Sequence, residues 1–315
     1  MDTESTSERE LWERLPLVEG DVKAELLLDL CNQALDRKSA SEALTLAETA
    51  KGIYESSGAY MAPSDVANAY QGIAHALRKL DRNEDAIEVM GKAIEILQEV
   101  QDPYVDNLLR TKALWCNQAG DWEGALQSNL EAIRLNEIDS NAEWEANSWI
   151  GAGITYMNMG NFQESIKCLL RAREMFKTLQ MVPHVGRCDI QLADACRKAG
   201  DFESAHSYGT KALHIAQLMQ ERVMMAWAYL RLGQASSSRG DFVVANGELE
   251  QAYYSAVRCY PYEMDWDLII QIQSERAWVF HRTDRSSMAE EAEAQIQTIK
   301  EIIHPEWLEE NQIGG

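Results

Sequence analysis

Histidine, cysteine and carboxylate are the side chains that bind metals or carry protons, and none of them is patterned here for that work. The six histidines are His75, His184, His206, His214, His281 and His304. His206 and His214 stand eight apart, near two helical turns, but no thiol or carboxylate completes a ligand set beside them. The six cysteines, Cys31, Cys116, Cys168, Cys188, Cys196 and Cys259, form no C-x-x-C and no paired metal spacing. Several fall at apolar helical positions, which reads as buried thiols in a reducing compartment. The chain has no H-E-x-x-H, no G-x-x-x-x-G-K-[ST] and no strand-linked G-x-G-x-x-G. Carboxylates are so abundant that no single pair is informative. No enzyme chemistry, metal or cofactor is expected.

The bulk numbers bound the fold and the partners. Leu, Ala, Glu, Gln and Met are frequent, strand-type alternation is hard to find, and prolines number only 6 in 315 residues, which favours an all-α chain. At 46% hydrophobic the chain can bury a large core. Its net charge of −22 argues against direct binding to nucleic acid or anionic membranes, which needs a basic footprint. The opening "MDTESTSERELWERL" lacks the basic-then-apolar order of a signal peptide. No apolar run approaches the ~20 residues of a membrane span. A cytoplasmic protein is expected.

The positioning elements recur. "AGDWEGA", "MGNFQES", "AGDFESA" and "RGDFVVA" place glycines at Gly120, Gly160, Gly200 and Gly240, each 40 residues from the last. Five residues on comes a small residue (Ala125, Ser165, Ala205, Ala245), and seven beyond that an alanine (Ala132, Ala172, Ala212, Ala252). The frame continues upstream as Ala86 and Ala93, then Ala43 and Ala50, with weaker turns, and downstream to Ala289, where Ile296 replaces the later alanine. Small residues let two helices approach closely, and glycine tolerates a left-handed turn between them. The following Asp or Asn can cap the next helix. The aromatic two residues past each glycine covers the joint. Seven helix–turn–helix units are expected, each too small to bury both faces alone.

This pattern resembles the tetratricopeptide repeat, with its large residue, Leu-Gly, Tyr, Ala, aromatic, Ala order. "WIGAGITYMNMGNFQES" carries it as Trp149, Ala152-Gly153, Tyr156, Ser165, Leu169 and Ala172; a second copy is Tyr229, Leu232-Gly233, Ser236, Ala245, Leu249 and Ala252. The resemblance covers residues 20 to 300, and it implies a right-handed α-solenoid of about seven hairpins. Its 40-residue period exceeds the usual 34 and is similar to kinesin light chain, Pins-type adaptors and Rap-type bacterial peptide receptors. The proline that closes many shorter repeats is absent from most units.

In that family the first helix of each unit lines a concave inner wall. The resemblance places Asn68, Gln71, His75 and Arg78 there in the second unit, Asn107, Arg110 and Asn117 in the third, and Asn147 and Asn158 in the fourth. Arg187, Asp194 and Arg197 follow in the fifth, Trp227 and Gln234 in the sixth, and Gln271, Trp278 and His281 in the seventh. Asn68, Asn107 and Asn147 share one slot, and a primary amide can pair with both the N–H and the C=O of an extended peptide. Arg78, Arg110, Arg187 and Arg197 would suit carboxylates on that peptide.

The expected organisation is an acidic segment over 1–19, a repeat array over 20–290, and a capping helix and tail over 291–315. Two longer connections interrupt it. "ESSGAYMAPSD" precedes the second unit, where Ser64 or Asp65 is a candidate cap, and "RCYPYEMDWDLII" bunches Tyr260, Pro261, Tyr262, Met264 and Trp266, either as an aromatic lip or as packing for the last pair. The expected function is a non-enzymatic adaptor or regulator holding an extended, acidic segment of a protein or peptide partner in its groove. Two rival readings stay open: a structural or homo-oligomeric scaffold acting through its convex face or ends, and a small-molecule-responsive sensor.

Overall fold

The computed structural model describes residues 6–57, 62–257 and 265–303. Tyr260, Pro261, Tyr262, Met264, Cys259 and His304 lie outside these, so the aromatic lip is not part of the described structure. Among the described residues there are fifteen α-helices and no strand. They fall into two compact units, Met1–Asn158 and Met159–Gly315.

The first unit opens with α1 (Thr6–Arg14) and a 3-10 turn (Leu15–Leu17), then runs α2 (Gly20–Asp36), α3 (Ala40–Ser57), α4 (Pro63–Lys79), α5 (Asn83–Glu99), α6 (Val105–Ala119), α7 (Trp122–Ile138) and α8 (Ala142–Asn158). The second holds α9 (Phe162–Thr178), α10 (Val182–Lys198), α11 (Phe202–Met219), α12 (Arg222–Ser238), α13 (Phe242–Val257), α14 (Trp266–Arg282) and α15 (Ser286–Ile303). Sequential helices pack as antiparallel hairpins (α2/α3, α4/α5 and α6/α7, then α10/α11, α12/α13 and α14/α15), and alternate helices also touch, α2 with α4, α6 with α8, α10 with α12 and α12 with α14. That is stacked-hairpin packing: each helix meets its hairpin partner and the next hairpin. The acidic start is docked, with Glu8 buried and its Oε1 2.5 Å from Arg37 Nη2.

The small-residue frame is where the helices come closest. Ala43, Ala50, Ala86, Ala93, Ala125, Ala132, Ser165, Ala172, Ala205, Ala212, Ala245, Ala252 and Ala289 are all at 0% exposure. A larger side chain at any of these points would push two helices apart, and overpacking of that kind costs about 1–3 kcal/mol. Around the seam the long apolar residues fill space: Leu30, Met90 and Leu108 in the first unit; Phe176, Leu192, Leu230, Leu249 and Ile272 in the second. Trp266 packs against this second core. The five described cysteines are buried thiols. Burial pushes the Cys188 thiol up to about 12 and the Cys31 thiol up to about 11, so neither is a thiolate near neutral pH.

The turns show which expected caps form. Asp121 accepts from the Gly124 N–H at 2.9 Å and Asp201 from the Ser204 N–H at 3.0 Å. Asn161 makes no such bond. Neither Ser64 nor Asp65 caps α4: Ala62 stands at the cap position with no side-chain bond, and Pro63 occupies the first turn, where its missing N–H leaves nothing unsatisfied. Glu221 and Asp265 are caps the repeat pattern did not indicate; they accept from Met224 N–H at 3.1 Å and Leu268 N–H at 2.9 Å.

Gly120, Gly160, Gly200 and Gly240 adopt φ between 79° and 85°, and Lys38, Asp81 and Asp284 take the same left-handed slot in the irregular units. A side chain there is strained by the clash of Cβ with the following carbonyl, about 1 kcal/mol. Lys38→Gly is therefore expected to stabilise the first unit by about 1 kcal/mol. Urea denaturation of the variant checks it, and no gain in midpoint would mean the strain is relieved elsewhere.

Candidate binding surfaces

In the first unit, α2, α4, Tyr54 of α3 and Tyr104 line an open cavity of about 770 Å³. Three of the expected inner-wall residues line it: Asn68, Gln71 and His75, one helical turn apart along α4. Tyr104, just before α6, closes one side, its hydroxyl 3.5 Å from Gln71 Nε2. His75 meets Trp115 of α6 edge-on with ring centroids 5.0 Å apart. Burial, and then the nearby Lys79 ammonium, lower its pKa below the usual imidazole value, so it is neutral near pH 7. A neutral imidazole can donate at one nitrogen and accept at the other.

The remaining first-unit residues are placed differently. Arg78 donates to Gln118 Oε1 at 2.5 Å and also to Asn83. Arg110 lies over the Trp144 ring at 4.1 Å and 3.7 Å from Asp106 Oδ2. Burial lowers the Arg110 pKa, with Asp106 working against it. Asn117 donates to Thr155 Oγ1 at 2.9 Å and accepts from Asn158 Nδ2 at 3.3 Å. The buried Asn129 donates to the same Thr155 hydroxyl at 3.3 Å. Asn117 and Asn158 therefore belong to an amide–hydroxyl network that ties α6, α7 and α8 together. Asn147 donates to the Glu143 carbonyl of its own helix at 3.1 Å, which leaves its amide oxygen available. Asn107 is half-buried and Asn68 exposed.

In the second unit the expected residues split into two groups. Asp194 accepts from Arg197 Nη2 at 2.8 Å, and it lies 3.1 Å from Lys198 Nζ and 3.8 Å from Arg231 Nη1. Arg231 also donates to Gln234 at 2.8 Å and sits over Trp227 at 5.2 Å, so Asp194, Arg197, Trp227 and Gln234 form one cluster on α10 and α12. Burial alone would raise the Asp194 carboxyl; the Arg231, Lys198 and Arg197 cations outweigh it and hold it below the usual carboxylate range. Trp278 and His281 turn elsewhere. Trp278 packs edge-on with Phe242 of α13 at 5.8 Å, and His281 Nε2 lies 3.0 Å from Glu293 of α15. Arg187 and Gln271 are exposed.

Three of the four arginines selected for an acidic ligand thus have partners inside the protein. Arg231, the buried centre of its cluster, was missed because its register falls outside the inner-wall pattern. Its heptapeptide "YLRLGQA" carries the basic residue between two apolar positions, the one signal that could have drawn attention to it. Among the described residues no three His, Cys, Asp or Glu side chains converge as metal ligands. No described helix is long and apolar enough to cross a membrane.

Stacked antiparallel hairpins with small residues at every close approach define a helical-repeat protein. Models of the tetratricopeptide repeat family match residues 144–217 and 67–96. Solved structures agree in fold. RapI in its apo form is 15% identical, with TM-score 0.67, covering 90% of this chain and 99% of that one. A Rap protein complexed with competence and sporulation factor is 14% identical, with TM-score 0.60, covering 89% and 77%. A signal-transduction ATPase of the STAND class with a tetratricopeptide repeat sensor, from Pyrococcus horikoshii, is 17% identical, with TM-score 0.66 over 95% of this chain. The chain spans only 45% of that ATPase's length. No curated protein matches the sequence.

Proposed function

We propose that this chain is a non-enzymatic binding module that holds an extended segment of a protein or peptide partner on the exposed faces of its first helices, acting as an adaptor or regulator in the cytoplasm. The observation that carries the reading is the first-unit cavity, where Asn68, Gln71 and His75 present amide and imidazole groups one turn apart. Donors and acceptors at that rise suit the alternating N–H and C=O of a peptide that runs along the wall. Asn107 and Asn147 extend the same slot along α6 and α8. A Rap protein of the same fold is complexed with competence and sporulation factor, and the STAND ATPase uses such repeats as a sensor, which supports a ligand-receiving role. Arg187, exposed on α10 of the second unit, is the arginine we assign to an acidic ligand group; Arg78, Arg110 and Arg197 serve mainly to hold their own helices.

The test is partner retention. Asn68→Ala, Asn107→Ala and Asn147→Ala combined are expected to leave helical content unchanged and to weaken partner capture from source lysate at least tenfold, at about 1 kcal/mol for each lost amide pair. Capture at wild-type strength by the folded triple variant would move the interaction off these faces.

A further inference from the structure

The same cavity has a charge that the peptide-binding reading does not use. Four carboxylates line it: Glu25, Asp29 and Asp36 from α2, and Asp65 from the first turn of α4. None of the four is paired with a described lysine, arginine or histidine, whereas elsewhere in the chain carboxylates such as Asp194, Asp189 and Glu131 have basic partners. Lys79 is the one ammonium on the lining. Acidic residues are common on this surface, so the carboxylates alone would not define a site.

The second observation is Tyr54. Its side chain comes from α3 and reaches the lining while only 2% of the residue is exposed. Its hydroxyl has no hydrogen-bond partner among the described residues. Burial, followed by the charges of Asp65, Glu25, Asp21 and Asp29, pushes that hydroxyl up to about 12, so it stays protonated. The ring is buried while the hydroxyl borders the cavity, so its unpartnered oxygen is presented to whatever enters there. The phenolic oxygen can accept a further N–H, and the four carboxylates on the same lining outnumber its one ammonium, so a cationic donor from outside finds acceptors there.

We propose that this cavity receives a lysine or arginine side chain of the bound segment, its cationic head among Glu25, Asp29, Asp36 and Asp65 and one of its N–H groups on the Tyr54 hydroxyl oxygen. The proposal rests on the peptide-binding reading and gives it a chemical preference. It also assigns the first unit a basic anchor, opposite in sign to the acidic segment expected from the arginines. Both cations carry several donors on a flexible stem, and about 770 Å³ accommodates either head with its flanking backbone.

The experiment titrates the full chain by calorimetry with capped nonapeptides of Ser, Gly and Asn. One carries a central Arg-Arg, one carries two citrullines, and one carries Glu-Glu; spermine is run in parallel. The arginine probe is expected to bind about tenfold or more tightly than the citrulline probe, since charge-assisted bonds are lost with the cation. Glu25→Gln, Asp29→Asn and Asp65→Asn combined should abolish that preference. Tyr54→Phe should weaken the arginine probe about threefold with helicity intact. Removing three exposed carboxylates of α5 instead, Glu84→Gln, Glu95→Gln and Glu99→Gln, should change affinity less than about twofold. Equal losses in the two triple variants would reduce the effect to the net charge of the chain and overturn the site, as would absence of arginine-probe binding. Spermine binding that displaces the arginine probe and exceeds it in affinity would assign the cavity to a free polyamine and overturn the peptide source. The two readings separate cleanly: if the asparagine variant still releases the partner while the cavity variant keeps it, only the cation site falls.

Discussion

Asp194→Ala should destabilise the second unit by about 3 kcal/mol, because it leaves Arg231 as a buried cation with its nearest counter-charge gone. The Asp194 carboxylate is 7% exposed and the Arg231 side chain 10%, whereas Arg197 and Lys198 are 25% and 34% exposed and can turn to water. Burial already lowers the Arg231 pKa, and Asp194 is the main charge opposing that, ahead of Glu275. The pH dependence has a definite sign. The folded Asp194 carboxyl titrates below its ordinary 3.8, so its stabilisation is complete above about pH 4 and is lost as pH falls through the folded value. The gap between wild type and variant in urea should therefore close in acid. Adding Arg231→Met to Asp194→Ala should recover most of the loss, since a packed apolar side chain replaces an unpaired ion. Hydrogen exchange should show the loosening in α10 and α12 first, because coupling in stacked hairpins is nearest-neighbour. A double variant no more stable than the single would assign the cost to packing.

The periodic part of this fold is readable from the chain, and its exceptions show what is not. A glycine every 40 residues and an alanine at a constant offset report close helix approach, a constraint imposed by backbone geometry alone, and the predicted small residues are buried to 0%. The turns between hairpins carry no comparable signal. Gln101, Ser140, Gln180 and Gln220 all sit at φ between 54° and 57°, and neither glutamine nor serine marks a left-handed position. The arginines were ambiguous for a different reason. Whether Arg78 or Arg110 points at a ligand depends on Gln118 or Trp144, 40 and 34 residues away, and spacing alone does not say which of these pairs form. The cavity was half legible: Asn68, Gln71 and His75 follow from register, but Glu25, Asp29 and Asp36 are hidden among 51 acidic residues. Only the folded chain shows which carboxylates share a cavity with Tyr54.

Arg173 and Asp189 test the opposite electrostatic sign in the same unit. Asp189, on α10, is 0% exposed and accepts from Arg173 of α9 at 2.6 Å through Nε and 3.4 Å through Nη2. Burial raises the Asp189 pKa above its ordinary 3.8 even with Arg173 in place. A raised carboxyl binds more protons folded than unfolded, so its contribution favours folding below that pKa and is lost as pH rises through it. At neutral pH the Asp189 charge is thus a cost that Arg173 holds down, and Arg173 is half-buried with no equal substitute; Lys211 contributes only a weaker attraction. Arg173→Met should destabilise the unit by about 3–5 kcal/mol at pH 7.5, the range for stranding one member of a buried pair. The deficit should shrink by about 1 kcal/mol or more between pH 7.5 and pH 5, as the stranded carboxyl takes up a proton. Arg173→Met with Asp189→Asn should recover most of it at pH 7.5, because the charge is gone and a neutral amide costs less to bury. Urea titrations of the single and double variants at both pH values decide the matter. A deficit independent of pH, or one that the double variant keeps, would show that Arg173 matters for the area its stem covers and not for its charge.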